Sequence, residues 1–107
     1  NITSMAPRVK ASGDTVYAAS KMALENFSQI LNQEVTQFGI SVNNIAVSAT
    51  KTGMLEAVTK GDPNKVLKFI PHRKFVEISE LVSIIDFLSN DPSQSIGGQT
   101  ISLGGVS

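Results

Sequence analysis

The chain has 107 residues, of which 41% are hydrophobic and 17% charged, a composition typical of one globular domain rather than of a disordered segment. Nine basic residues balance nine acidic ones, so the net charge gives no reason to expect binding to nucleic acid or to an anionic membrane. The sequence has no cysteine, which excludes disulfides, and no apolar run of the roughly 18 residues that a membrane span needs. These features predict a cytoplasmic protein.

Residues 1–46 predict a strand, a long helix and a second strand. Residues 1–4 look like the end of a strand followed by a loop, and residues 15–38 carry apolar side chains every three or four positions, which predicts a helix. The predicted apolar stripe consists of Leu24, Phe27, Leu31, Val35 and Phe38. Gly39 ends this helix, and the β-branched run of residues 40–46 predicts a buried strand. Together they form part of a βαβ unit.

Residues 47–75 are less regular than the rest of the chain. An amphipathic stretch at residues 54–60 is separated by a Gly-Asp-Pro break from a short helical pattern around Val66 and Leu67. We interpret this region as a long functional insertion rather than as part of the core.

The last part of the chain predicts one helix and one strand. Ser79 is predicted to cap a helix with apolar residues at helical spacing, and the segment Asn90-Asp91-Pro92 to end it. Residues 99–103 lie between two glycine pairs and predict the last strand. This order of elements predicts an α/β fold with a parallel sheet.

Three residues near the start of the long helix form a candidate catalytic set. Tyr17 and Lys21 stand four positions apart and therefore project from one helix face, about one turn from each other. An ammonium close to a phenol favours the phenolate and so makes a tyrosine usable for proton transfer. Ser4, at the end of the first strand, offers a hydroxyl to a substrate oxygen. Taken alone, Tyr17 and Lys21 are better explained as solvated surface residues.

Further motifs occur in order along almost the whole chain. They are Asn1-Ile2-Thr3-Ser4, Tyr17-Ala18-Ala19-Ser20-Lys21, Gly39-Ile40-Ser41-Val42-Asn43, Thr52-Gly53-Met54, Ile70-Pro71 with Lys74-Phe75, and Gly97-Gly98-Gln99-Thr100-Ile101. With these motifs the sequence resembles the short-chain dehydrogenase/reductase family of NAD(P)-dependent oxidoreductases. The resemblance implies that residues 1–107 are the carboxy-terminal portion of a Rossmann-type doubly wound parallel sheet, with residues 47–75 as its substrate-loop region. The amino-terminal cofactor-binding half, with the family's glycine-rich turn and active-site asparagine, is expected upstream of Asn1.

The resemblance also implies roles for single residues. Tyr17 becomes the general acid in carbonyl reduction and the base in alcohol oxidation, Ser4 polarises the substrate oxygen, and Lys21 assists Tyr17 and holds the ribose of NADP or NAD. The backbone from Val47 to Thr50 and the hydroxyl of Thr52 are expected beside the nicotinamide carboxamide and the pyrophosphate. No metal is implied. The substrate is a small carbonyl compound or alcohol, and the complete protein is expected to form a homodimer or homotetramer.

The sequence departs from the family pattern at three places. Val47-Ser48 replaces the usual Pro-Gly, Leu103-Gly104 replaces the usual Asp-Gly, and Arg73 stands where glycine is common. The first departure affects the loop that the family places next to the nicotinamide.

Several interpretations stay open at this point. The small residues Ala18, Ala19, Ser20 and Ala23 suit close packing within the chain and a dimer interface equally well. The segments at Thr52-Gly53-Met54, Asp62-Pro63 and Ile70-Pro71 favour the carbonyl reductase and L-xylulose reductase branch. The alternative function, from a different class, is a non-catalytic truncated family member that acts by associating with other subunits, for which exposed apolar surface is the expected signature.

Overall fold

The computed structural model describes residues 1–90 and 95–105, and within them three parallel strands form one sheet. The strands are β1 (Ile2–Ser4), β2 (Asn44–Val47) and β3 (Thr100–Leu103), in the order β1-β2-β3. Ser4 pairs with Val47, and Val47 with Leu103. The carboxyl ends of all three strands therefore lie level at one edge of the sheet, as the predicted parallel α/β arrangement requires.

Two helices connect β1 to β2. The region predicted as a loop contains the short helix α1 (Ala6–Val9), which has Pro7 in its first turn, where no backbone donor is needed. The predicted long helix is α2 (Thr15–Val35), and its last predicted turn is a separate 3₁₀ helix (Thr36–Phe38). Gly39 follows with a φ of +76°, which confirms the predicted glycine stop.

The predicted apolar stripe of α2 is only partly on the side that the helix turns to the rest of the chain, since Leu24, Leu31 and Val35 are half-buried. Phe27 and Phe38 are 60% and 71% exposed, whereas the buried residues of α2 are Glu25 and Ser28. Polar side chains occupy the buried face because β1 supplies their hydrogen-bond partners, as described below. The prediction was correct for the helix, wrong for Phe27 and Phe38, and it missed the buried Glu25 and Ser28.

The strand predicted at residues 40–46 begins later than expected. The backbone amide of Val42 donates to the Asn32 side chain of α2 (2.8 Å), so this part of the chain bonds to a helix rather than to a neighbouring strand. The amide of Gln99 likewise donates to the Asn43 side chain (3.1 Å), and β3 begins one residue after Gln99.

Residues 47–75 contain one short α-helix and one 3₁₀ helix. These are α3 (Gly53–Val58) and the 3₁₀ helix Pro63–Phe69, separated at the predicted glycine break. Ile70 near the end of this region and Val76 just after it are buried and join Ile45 and Ala46 of the central strand in the apolar core.

The helix α4 (Ile78–Leu88) begins with Glu77 as its cap, and the prediction of Ser79 was wrong. Glu77 and Glu80 form a reciprocal capping box, in which the amide of Glu77 donates to the Glu80 carboxylate (2.7 Å). Ser79 consequently lies inside the first turn. The helix ends at Leu88, before the predicted Asn90-Asp91-Pro92 stop, of which Asp91 and Pro92 lie outside the described residues.

None of the described helices is both long and apolar enough to cross a membrane.

Candidate active site

The carboxyl edge of the sheet is formed by the level strand ends Ser4, Val47 and Leu103. The amide of Met5 donates to the carbonyl of Val47 (3.1 Å), and the amide of Ser48 donates to the carbonyl of Leu103 (3.1 Å). These bonds hold the first residue after β1 and the first after β2 in fixed positions. In open α/β sheets, ligands bind in the crevice outside the carboxyl ends of the strands.

The Ser4 hydroxyl is oriented by the backbone that follows it. Ser4 is buried, and its Oγ accepts a hydrogen bond from the amide of Ala6, the first residue of α1 (3.0 Å). A hydroxyl that accepts from an amide still has its own proton to donate. Ser4 can therefore donate to a carbonyl oxygen at the sheet edge.

The inward face of α2 carries both the structural and the candidate catalytic residues. Tyr17, Lys21, Glu25 and Ser28 are spaced by four, four and three positions, so all four lie on one face of the helix. Glu25 and Ser28 of this face are buried against β1. Tyr17 and Lys21 continue the same face toward the start of the helix.

Two hydrogen bonds define the direction of α2 across β1. The Asn1 side chain donates to Ser28 Oγ (2.7 Å), and Thr3 Oγ1 donates to Glu25 Oε1 (3.0 Å). Earlier helix residues thus lie beside later strand residues, which makes the two elements antiparallel. A helix rises about 1.5 Å per residue, which places the Lys21 and Tyr17 backbone about 6 and 12 Å beyond Glu25, past the carboxyl end of β1. The candidate catalytic residues therefore lie at the sheet edge that Ser4 occupies.

Tyr17 and Lys21 meet at this edge. Lys21 Nζ lies over the Tyr17 ring, 5.7 Å from its centroid, and Tyr17 is 42% exposed. No hydrogen bond joins Tyr17 to Ser4 within the described residues. The structure therefore places the Lys21 ammonium over the Tyr17 ring and leaves the Tyr17 side chain open to a ligand.

A buried ionic cluster next to these residues was missed by the sequence analysis. Arg8 donates through Nη2 to Glu25 Oε2 (2.8 Å) and through Nη1 to Glu25 Oε1 (3.1 Å), and Thr3 donates to the same carboxylate. Burial alone raises the pKa of the Glu25 carboxyl, but the hydrogen bonds from Arg8 and Thr3 outweigh it and hold the pKa below its usual range. The available sequence signal was an acidic residue on the same face as Tyr17 and Lys21.

The loop after β2 shows what the replacement of Pro-Gly by Val47-Ser48 does. Within the described residues, the buried Ser48 hydroxyl has no hydrogen-bond partner, and its side chain packs directly on Gly104 after β3. A Cβ on Gly104 would collide with it. Ser48 is therefore accommodated at this edge because residue 104 has no side chain.

Thr50 and Thr52 lie farther along this loop. Thr52 caps α3, and its Oγ1 accepts from the amide of Leu55 (3.3 Å). Thr50 lines a cavity of about 490 Å³ between this loop and the start of α4. Three cations line the same cavity: Lys51, Arg73 and Lys74. Neither Tyr17 nor Lys21 lines it.

The backbone at Arg73 has a conformation that favours glycine, the residue that is common at this position in the family. Arg73 has a φ of +57°, a left-handed conformation that favours glycine, and its guanidinium donates to the carbonyl of Lys68. Within the described residues, no group of three or more His, Asp or Glu side chains could hold a metal ion.

Comparison with known proteins identifies the family. A family model described as "Enoyl-(Acyl carrier protein) reductase" matches residues 1–106. Nodulation protein G of Rhizobium meliloti is 30% identical over 105 residues, which cover 98% of this chain and 43% of that protein. The 3-oxoacyl-[acyl-carrier-protein] reductase FabG of Buchnera aphidicola is 36% identical over 93 residues, covering 87% and 38%. The chain belongs to the short-chain dehydrogenase/reductase family.

A solved structure confirms the fold. A crystal structure of an actinorhodin polyketide ketoreductase variant with NADPH superimposes with a TM-score of 0.87 at 21% sequence identity, covering 98% of this chain and 44% of that one. The α/β fold with a Rossmann-type parallel sheet, which the sequence predicted, is thereby confirmed. The chain spans about two fifths of the length of the curated relatives given above.

Proposed function

We propose that this chain carries the catalytic residues of an NAD(P)-dependent oxidoreductase that interconverts a carbonyl compound and an alcohol. The observation that carries the proposal is the inward face of α2, which places Tyr17 and Lys21 beyond the end of β1, where Ser4 has a proton to donate. The names of the relatives support the reaction class, since those given above include a 3-oxoacyl reductase, and the similar solved structure is that of a ketoreductase.

Each residue of the set has a separate task in the proposed reaction. In carbonyl reduction, Ser4 donates a hydrogen bond to the substrate oxygen, and Tyr17 gives that oxygen its proton. In alcohol oxidation, Tyr17 takes the proton back. Lys21 is the cation that assists Tyr17, and its ammonium lies over the Tyr17 ring. When bound, the nicotinamide cofactor supplies or accepts the hydride.

The residues at the sheet edge fit a nicotinamide nucleotide. Lys21 offers a cation to the ribose hydroxyls, and the Ser48 hydroxyl, which has no hydrogen-bond partner among residues 1–90 and 95–105, marks a polar position beside Val47 that a ligand can satisfy. The hydroxyls of Thr50 and Thr52 lie on the same loop. We assign Tyr17, Lys21, Val47, Thr50 and Thr52 to the cofactor, which is NADP or NAD; the similar ketoreductase structure contains NADPH.

The substrate class within the family is part of the proposal. The motifs at Thr52, Asp62 and Ile70 favour the carbonyl reductase and L-xylulose reductase branch, whereas the relatives given above include a 3-oxoacyl-[acyl-carrier-protein] reductase. Comparing turnover of small dicarbonyls and ketoses with that of a 3-oxoacyl thioester distinguishes the two branches.

The remaining assignments concern the complete protein. We propose that residues 1–107 form the carboxy-terminal portion of one family domain, with residues 47–75 as the substrate-loop region. Ala19, Ser20 and Ala23 are exposed, which supports a subunit interface along α2 and a homodimer or homotetramer. A cytoplasmic location rests on the absence of cysteine.

One observation favours the alternative of a non-catalytic subunit that acts by association. Large apolar side chains are exposed on both long helices, including Val16 at 82% on α2 and Val82 on α4. The alternative requires a compact, monodisperse 107-residue species on its own, which size-exclusion chromatography tests. Aggregation of that species contradicts it.

The proposal is tested by the substitution Tyr17→Phe in the protein as its source organism makes it. Removing one proton-transfer group is expected to lower kcat by about 10²- to 10⁴-fold, with NADPH or NADH affinity nearly unchanged in a fluorescence titration. Gln29→Ala, at an exposed position of α2, is the matched control. An unchanged kcat in Tyr17→Phe contradicts the proposal.

A further inference from the structure

Three elements meet at one ionic cluster, the Arg8 clasp, which consists of the buried Thr3 and Glu25 and of Arg8, whose side chain is 27% exposed. Thr3 comes from β1, Arg8 from α1 and Glu25 from α2. The two terminal guanidinium nitrogens of Arg8 and the Thr3 hydroxyl all donate to the Glu25 carboxylate, and Glu25 is 3% exposed. The fork of the guanidinium on the two carboxylate oxygens fixes an angle as well as a distance between α1 and α2.

The clasp lies between the two parts of the candidate catalytic set. Thr3 directly precedes Ser4, and Arg8 lies in the helix whose first residue, Ala6, donates to Ser4 Oγ. On the other side, Glu25 lies one helical turn after Lys21. Glu25 thus links β1 and α1, which position Ser4, to the helix that carries Lys21 and Tyr17.

Stability alone does not explain an ionic cluster at this position. A buried ion pair contributes little net stability over well-packed apolar residues of the same volume, because desolvation offsets the attraction between the charges. Apolar packing, however, does not fix the orientation of one helix relative to another. A bidentate ion pair restrains the rotation of α1 on α2, and α1 carries the amide that orients the Ser4 hydroxyl.

We propose that Thr3, Arg8 and Glu25 are positioning residues, which hold the Ser4 hydroxyl in the orientation that the substrate oxygen requires relative to Tyr17. The proposal rests on the proposed oxidoreductase function. None of the three residues is assigned a contact with substrate or cofactor. Their effect runs from the ion pair to α1, from α1 to the Ala6 amide, and from that amide to Ser4 Oγ.

A double-mutant cycle with Ser4 tests the proposal on the complete protein. Glu25→Gln alone is expected to lower kcat by about 10- to 100-fold, since small misplacements of a reacting group cost that much, while cofactor affinity changes less than about twofold. In a Ser4→Ala background the oriented hydroxyl is already gone, so adding Glu25→Gln is expected to lower kcat by less than about threefold. A merely structural role predicts the same factor in both backgrounds.

A milder variant keeps the test valid if Glu25→Gln folds poorly. Thr3→Val removes one donor to the carboxylate at nearly constant volume, and a several-fold loss of kcat that disappears in the Ser4→Ala background is expected. Arg8→Lys keeps the charge and is expected to recover part of the kcat that Arg8→Met loses. Glu34→Gln, at an exposed glutamate of the same helix, is the matched control and should leave kcat unchanged.

The outcomes separate this proposal from the proposed function. If Tyr17→Phe abolishes turnover but the Glu25 effect is equal in both Ser4 backgrounds, the positioning role is overturned and the oxidoreductase function stands. If Tyr17→Phe leaves kcat unchanged, the proposed function itself fails. Loss of turnover in Tyr17→Phe together with a non-additive cycle supports both.

Discussion

The unit of residues 1–47 and the segment of residues 53–75 are held together by different kinds of hydrogen bond. In the unit, buried side chains join elements that are far apart in the sequence; Thr3 bonds Glu25 across 22 positions. In the segment, the Thr59 hydroxyl bonds the carbonyl of Leu55, four positions away, and the other side-chain bonds are similarly local. The unit is therefore cross-linked across the fold, whereas each turn of the segment is closed on itself.

This difference matches the tasks that we propose for the two regions. Proton transfer needs Ser4, Tyr17 and Lys21 at fixed relative positions, and long-range bonds supply that rigidity. The segment of residues 53–75 reaches the sheet near its own end, where the amide of His72 donates to the carbonyl of Gly104, just after β3 (3.1 Å). Because its hydrogen bonds are local, the sequence of such a segment can vary, and with it the ligand that the segment fits, without disturbing the catalytic residues.

The largest expected effect comes from removing a charge from the unit. Arg8→Met leaves the buried Glu25 carboxylate without its ionic partner, and we expect the free energy of unfolding to fall by about 3–5 kcal/mol in urea titrations. The matched control is Lys65→Met in the segment, which removes an exposed cation and should change stability by less than about 0.5 kcal/mol. Equal effects of the two substitutions would refute the distinction between the regions.

A pair of glycines gives the next comparison. Gly104 has a φ of +101° and packs on Ser48, whereas Gly61 in the segment has a φ of +83° and open space around it. Gly104→Ala is expected to cost about 2–4 kcal/mol, because strain and collision add, and Gly61→Ala about 1–2 kcal/mol from strain alone. Adding Ser48→Gly to Gly104→Ala should restore the part of the lost stability that is due to the collision. A Gly104→Ala protein as stable as Gly61→Ala would contradict the packing described here.

Local sequence patterns predicted the parts of this fold that depend on near neighbours. The long helix follows from apolar spacing, and the shared face of Tyr17 and Lys21 follows from helix geometry alone. The turn at Gly39 follows from the need for a left-handed residue after the helix. The spacing alone gave Tyr17 and Lys21 only as neighbours on one face, and their catalytic assignment needed the resemblance to the family.

The buried face of α2 could not be predicted in this way. Glu25 and Ser28 are buried because Thr3, Arg8 and Asn1 satisfy them, and these partners come from other elements. Spacing rules assign burial to apolar residues, so they included the exposed Phe27 and Phe38 and left out the polar residues that are buried. The Ser79 cap failed for a related reason: the capping box of Glu77 and Glu80 depends on two side chains together, and the prediction considered one residue at a time.

The contribution of Glu25 to the free energy of unfolding is expected to fall as pH is lowered in the unsubstituted protein and to rise as pH is lowered in Arg8→Met. The folded pKa of Glu25 is lowered, so its contribution to stability is present above the ordinary glutamate pKa of about 4.3 and is lost as pH falls through the folded pKa. In Arg8→Met, burial raises that pKa and only the weaker effect of the Thr3 hydroxyl opposes it, so acid relieves the buried charge. The stability difference between the two proteins should therefore shrink between pH 7 and about pH 4. A constant difference would mean that Glu25 is not ionised against Arg8.

The smallest expected effect belongs to the segment. Lys60 follows α3 in a left-handed conformation with a φ of +53°, and the amide of Gly61 closes this helix end on the carbonyl of Glu56 (2.9 Å). Glycine adopts this conformation without strain, so Lys60→Gly is expected to raise the free energy of unfolding by about 0.5–1 kcal/mol. Lys65→Gly is the matched control; its φ is negative, and the substitution should lower stability by about the same amount.

The Lys60→Gly variant also tests whether the segment is independent of the catalytic unit. If the helix end is closed only by local bonds, the gain in stability should leave cofactor affinity and the Ser4–Glu25 double-mutant cycle unchanged. Substrate KM is the one kinetic quantity that should respond, since the segment is proposed to contact substrate. A change in the cycle would show that strain at Lys60 is transmitted to β1, and the division into a cross-linked unit and a locally closed segment would then be wrong.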